Sequence, residues 1–373
     1  MRTHSSEAGF TLGELLIATA ISLVVIGTAM TTFKDAVALS GTASYMSDTS
    51  LNLRAGINLI IRDLEATGRG IPTGGIPIPS GNNVSIMRPS PPLSQYTFDN
   101  VNLTTLSAVT TGSGKGPTID RQPTDMVTLL MVDPLLDEML APPPPPNTPA
   151  NAAKPQVPLV LSPAGTLGNV DVIAADGSSF TLNPSKKWLA GDATNNIPPV
   201  NKGDLLMFVN TSGQYAIQTV TRIDTTHAYF DINSDDPFGF NQRTAPGGTI
   251  VQILGSALTV RRVLMYTYFV DPNNGTPRLM RQYNWATPQA LAGVVEDLQL
   301  QYDIVDGTVN PTAVDDLPYT ANNVIYTANQ IRKVNVHIGV RSETMALKPR
   351  DYLRTHISTV VSLRQLAYVD RYK

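Results

Sequence analysis

Ala8-Gly-Phe-Thr-Leu-Gly-Glu14 runs directly into Leu15-Leu-Ile-Ala-Thr-Ala-Ile-Ser-Leu-Val-Val-Ile-Gly-Thr-Ala-Met30. Glu14 is the only charged side chain between Phe10 and Phe33. The apolar run approaches the roughly 20 residues that a helix needs to cross a hydrocarbon core. An ionised carboxylate inside such a helix costs about 2.5–3.5 kcal/mol at the centre and less near an end, so intramembrane acids are paired and functional. Glu14 therefore asks for a cationic partner.

The sequence beyond Met30 extends the same element. No proline occurs before Pro72, and Leu39, Ala43, Met46, Leu53, Ile57, Ile60 and Leu64 recur at steps of three, four or seven. That spacing predicts one apolar helical stripe, with Asp35, Asp48, Asn52, Asn58, Arg62 and Asp63 mostly off it. A single helix from Phe10 to about Leu64 would be roughly 80 Å long, its first half lipid-bound and its second half packed on a head. Gly68, Gly70 and Pro72 supply the stop. A removable secretory signal would be cut after the apolar run, where Gly27-Thr-Ala-Met30 is a poor match. A plain anchor would not require the amphipathic continuation.

Gly9, Phe10, Thr11, Leu12, Glu14 and the retained apolar run resemble the signal of type IV prepilins and type II secretion pseudopilins. The resemblance implies that a prepilin peptidase cuts after Gly9 and that the new amino terminus, Phe10, is methylated. It also implies the partner for Glu14: the amino group of Phe10 on the same or a neighbouring subunit. Gly13 departs from the pattern, standing where that family usually has a larger apolar residue. The leader is weakly basic, Arg2 being offset by Glu7.

The chain has 373 residues, 42% hydrophobic and 15% charged, enough for more than one structural unit and a sizeable core. A net charge of -3 argues against nucleic acid as the main ligand. The absence of cysteine excludes disulfides, thiolate metal sites and thiol nucleophiles. The domain reading is a leader (1–9), a long helix (10–70), a loop-rich segment with a β-rich insertion (71–257) and a C-terminal β-sheet region (258–373). Residues 72–123 read as irregular connections, and Met126–Val132 as a buried strand. The pentaproline 142–146 favours a stiff extended loop. Short strand signals at 170–173, 179–182, 204–209, 215–220, 228–232 and 250–254 predict a compact antiparallel module.

From Leu258 onward the strands are longer. Leu258–Val270 and Pro277–Trp285 form a predicted hairpin. Leu298, Leu300, Tyr302 and Ile304 alternate, as do Val334, Val336, Ile338 and Val340, and then Ile357, Thr359 and Val361. Three segments resemble PilW-type minor pilins and their secretion-system counterparts: Gly293–Tyr302, Ile331–Ser342 and Val360–Leu366. The fold expected is α+β and pilin-like: a long N-terminal helix, lipid-spanning in its first half, packed on an antiparallel sheet with a β-rich insertion.

Catalytic chemistry is sparsely represented. The four histidines are His4, His227, His337 and His356, and no metalloprotease-type helix motif is present. Gly112-Ser-Gly-Lys-Gly116 lacks the first glycine and final hydroxyl of a phosphate loop. Asp235, Asp236 and Asp271 lie in oxygen-rich loops of the kind that calcium uses, although ordinary turn chemistry explains them as well. Asp133–Glu138 reads as a solvated acidic loop, and no cofactor is expected. Tyr229, Phe230, Phe238 and Phe240 read as core before contact surface.

The resemblance implies a non-enzymatic minor pilin, acting in filament initiation and placed at the tip. Its partners would be other minor and major pilins, the prepilin peptidase, the inner-membrane assembly platform and, before assembly, lipid. It would sit in a bacterial inner membrane with a periplasmic head and then reach the pilus and cell surface. The alternatives are a type II secretion minor pseudopilin, a tip adhesin or DNA-uptake module, and an exported enzyme.

Overall fold

The computed structural model describes residues 10–98, 104–133, 159–166, 168–183, 188–191, 198–272, 275–305, 307, 309–345 and 351–366. The leader with Gly9, the pentaproline and residues 134–138 lie outside them. Helix α1 is continuous over 55 residues, Leu12–Ala66. It ends where Thr67 turns extended and donates its amide to Leu64 O at 3.1 Å. Gly68 follows at φ +86°, a left-handed conformation that glycine adopts without strain, and donates to Leu130 O at 2.9 Å.

The helix has two unlike parts. Leu15, Ile21, Val25, Met30 and Phe33 are exposed, and no part of the apolar window is covered by the head. Leu53, Ile57, Ile60 and Leu64 are at most 4% exposed and share a core with Leu298, Leu300, Val334, Val336, Ile338 and Val361. The helix therefore joins the shared core from Leu53 onward, later than the stripe alone predicts, although Ala38 is buried earlier. Leu39 and Met46 remain exposed, at 71% and 52%. The helix meets the sheet so closely at Gly56 that an added Cβ would lie 2.9 Å from Ala292 Cβ.

Ten antiparallel strands form the main sheet. In chain order they are β1 Val109–Thr110, β2 Val127–Val132, β3 Leu159–Leu161, β4 Leu205–Asn210, β5 Tyr215–Thr219, β6 Leu258–Asp271, β7 Arg278–Tyr283, β8 Gln289–Ile304, β9 Ile331–Arg341 and β10 Arg354–Ser362. The spatial path is β5-β4-β6-β7-β8-β9-β10. The 14-residue β6 holds it together: β4 and then β7 pair along one edge, and β3 and then β2 along the other. The predicted C-terminal alternation appears as burial, with Leu298, Leu300, Tyr302 and Ile304 facing inward on β8 and Val334, Val336, Ile338 and Val340 on β9.

The predicted compact β module requires two corrections. First, β4 and β5 belong to the main sheet. Leu206 and Phe208 face one core and Leu205 and Met207 another, so the continuous apolar run reflects burial on both faces. A small four-stranded sheet of residues 172–173, 179–181, 227–229 and 222–223 stands apart from it. Second, Ile250–Ile253 is a 3-10 turn. Its i and i+3 residues, Ile250 and Ile253, point into the core while Val251 is exposed. That spacing suits a three-residue turn.

Candidate functional site

Thr11 and Glu14 start α1 with a reciprocal cap. The Thr11 amide and hydroxyl each donate to Glu14 Oε2 at 3.0 Å, and the Glu14 amide donates to Thr11 Oγ1 at 3.3 Å. The Thr-x-x-Glu spacing is a capping box, which supplies partners for helix-end amides. This local role for Glu14 was readable in the sequence and was missed by considering only its charge. Phe10 immediately precedes the cap and is 87% exposed. Gly9 lies outside the described residues.

At its other end α1 is fixed by a buried ionic network. Asp63, expected off the packing stripe, is 4% exposed. It accepts from Tyr268 Oη at 2.6 Å and from Arg281 Nε at 2.8 Å. Tyr268 and Arg281 are direct partners across β6 and β7, so strand pairing presents both to the helix. Burial, then the neighbouring Asp63 carboxylate, pushes the Tyr268 phenol well above its ordinary range, leaving it a neutral donor.

Arg281 lies 3.6 Å over the Tyr266 ring, and Tyr283 next to it donates to Asp204 Oδ1 at 3.0 Å. Asp204 also faces Arg262, which is tightly paired with Asp133. Burial opposes the Arg262 charge, but Asp133 and Asp204 outweigh it and raise its pKa. Asp133 is therefore buried and paired, where the sequence predicts the start of a solvated loop. Its aspartate type was visible, but Arg262 lies far away in sequence.

Arg88 is fully enclosed, donating to Thr128 Oγ1 at 3.0 Å, Thr111 O at 2.6 Å and Thr110 O at 2.8 Å. Burial pulls its pKa down to about 10. Gly112–Gly116 uses its amides internally: Gly114 donates to Asp125 Oδ1 at 2.7 Å and Gly116 to Thr124 O at 2.7 Å. A phosphate would have to displace those acceptors.

The calcium candidates also have other engagements. Asp235 accepts from Lys202 Nζ at 2.6 Å. Asp236 accepts from the amides of Gly239 at 3.1 Å and Asn241 at 2.7 Å. Asp271 ends β6 in register with Arg278. Among the described residues no group of three or more His, Cys, Asp or Glu side chains could hold a metal ion. Phe230, Phe238 and Phe240 are fully buried, and Tyr229 is half-buried beneath Arg222 at 3.5 Å.

Among the described residues the arrangement is thus one helix long and apolar enough to cross a membrane, exposed over most of its length and anchored to a β-sheet head by Asp63 and the Leu53–Leu64 face, an α+β arrangement as a whole. No protein-family model, curated protein or solved structure matches the chain.

Proposed function

We propose that the chain is a minor pilin of a type IV pilus, cleaved after Gly9, methylated on Phe10 and retained through α1 first in the inner membrane and then in a filament. The observation that carries this reading is the division of α1. A mostly exposed apolar length from Leu12 to Leu51, in which Ala38 is the buried exception, is continuous with a buried face beginning at Leu53. The part before Leu53 spans about 60 Å, roughly twice a hydrocarbon core. Lipid therefore covers only part of it, and Phe33, Val37, Leu39 and Met46 call for protein neighbours. Packed helices of other pilins would meet that need.

In this reading Glu14 compensates the methylated amine of Phe10 on the same or an adjoining subunit, which selects register among helices that are otherwise apolar. The head acts by contact with other subunits, with no reaction assigned to it. A large head suits a tip or low-abundance position better than a dense shaft. Immunogold labelling of sheared pili with an antibody to the head tests this directly. Tip labelling is expected; filaments without label would contradict a pilus subunit.

A further inference from the structure

The main sheet closes one of its outer edges and leaves the other bare. At the β5 edge the side chain of Asn241 imitates a neighbouring strand: Thr219 N donates to Asn241 Oδ1 and Asn241 Nδ2 donates to Thr219 O, both at 2.9 Å. Ala216, Ile217 and Gln218 beside it are buried. Among the described residues nothing plays that part at β10, the opposite edge.

The β9–β10 ladder fixes what the bare edge presents. Ser342 N donates to Leu353 O at 2.8 Å and Leu363 N to Arg332 O at 2.9 Å, and between them the register runs unbroken from Arg341 opposite Arg354 to Lys333 opposite Ser362. Bonded pairs alternate along an antiparallel ladder. Thr355, Ile357, Thr359 and Val361 therefore direct their backbone groups at β9, and the amides and carbonyls of Arg354, His356, Ser358, Val360 and Ser362 point outward. Edge strands are ordinarily blunted by shortness, lysine, proline or a bulge. β10 runs nine residues without proline, lysine or a register shift. Apart from His356 its one ionisable side chain is Arg354, which turns aside to Glu296 at 2.8 Å. Thr355, Ile357 and Thr359, on the face that packs toward α1, stay half-exposed.

We propose that β10 accepts an extended segment of another polypeptide as an added strand. An extended chain supplies donors and acceptors at the spacing of this edge, the main-chain bonding that gives strand addition its affinity. A second copy of β10 is the wrong occupant because of α1. Tyr45, Asp48 and Leu53 share a cleft with Arg341 and Ser342, beside the start of β10, and Gly68, just past the end of α1, lies against Leu366, just past the end of β10. Helix and strand thus run in the same direction. Antiparallel pairing of two β10 edges needs a two-fold axis across the sheet, which would also reverse α1 and point the two apolar helices oppositely. One membrane, or one polar filament, could not hold both. This choice of occupant rests on α1 being held in that way, whereas the bare edge does not. The donor would carry apolar side chains at alternate positions beside Ile357 and Thr359, and polar ones beside His356 and Ser358. Under the proposed function it belongs to a neighbouring subunit.

The test is photocrosslinking in intact cells with p-benzoylphenylalanine in place of His356 or of Ser358, followed by mass spectrometry of the adducts. Side chains two positions apart on a strand share a face, so the two probes should mark residues of one donor segment two positions apart. The same probe in place of Ser212, in the exposed β4–β5 turn, should leave that segment unmarked. Val360→Pro removes one outward donor without touching the β9 ladder and should lower the Ser358-probe yield about 10-fold, the effect of about one hydrogen bond. Val360→Lys, at a side chain already 59% exposed, should lower it as well and guards against a folding defect in the proline variant. No adduct from chain present in the membrane, adducts only to β10 of a second copy, or a yield unchanged by Val360→Lys would overturn the proposal. A mapped donor strand in cells whose pili carry no label would instead leave strand addition standing and remove the pilus reading.

Discussion

At Glu14 a single oxygen accepts from both the amide and the hydroxyl of Thr11, a geometry that glutamine reproduces without a charge. The proposed assembly role can therefore be separated from helix capping. Glu14→Gln should keep the helix start and cleavage, yet incorporate into filaments as poorly as Glu14→Ala. Normal incorporation of the glutamine variant, measured by immunoblot of sheared pili, would leave capping as the whole role of Glu14. Asp63 offers a second test. Replacing it with asparagine leaves Arg281 partly buried without its carboxylate, and unfolding by urea should show a loss of about 3 kcal/mol. The Arg281→Met, Asp63→Asn pair should recover part of it. Residue type at 14 was legible because the surrounding run has no other charge. Asp63 was not, because its importance depends on Tyr268 and Arg281, some two hundred positions away, being opposite each other across two strands.

The division of α1 between an exposed length and a packed face sets different expectations along one element. Alanine normally outranks glycine in a helix by about 1 kcal/mol. Gly41 has nothing within 4 Å of an added Cβ, whereas at Gly56 that atom would meet Ala292 at 2.9 Å. Gly41→Ala should consequently slow amide exchange locally, while Gly56→Ala should lower the melting temperature despite its better propensity. Ile60→Ala, which empties part of a fully packed site, should cost about 3 kcal/mol in denaturant unfolding. The helix was legible as far as Leu64 from proline-free periodicity. The start of packing was not, since it depends on where β8 and β9 end beside the helix. The run at 250–254 misled for a related reason: a short apolar segment fits a strand or a turn, and only the inward aim of Ile250 and Ile253 decides between them.

The whole molecule is a long helix attached to a broad antiparallel sheet, with β6 receiving partners on both edges. The C-terminal strands were legible because one face is buried and alternation follows. For β2 and β4, burial on both faces erased alternation, and pairing of β4 with β6 across about 50 residues of intervening chain left no local signature. The proposed function rests on the mostly exposed apolar part of α1, which lipid and then neighbouring helices would cover. An N-terminal segment kept for assembly and one removed during export differ most plainly in the mature chain. Mass spectrometry of the protein extracted from membranes is the most direct measurement. The proposed function predicts a chain beginning with monomethylated Phe10 and containing all of α1; a mature chain beginning near Met30, or one still beginning at Met1, would contradict it.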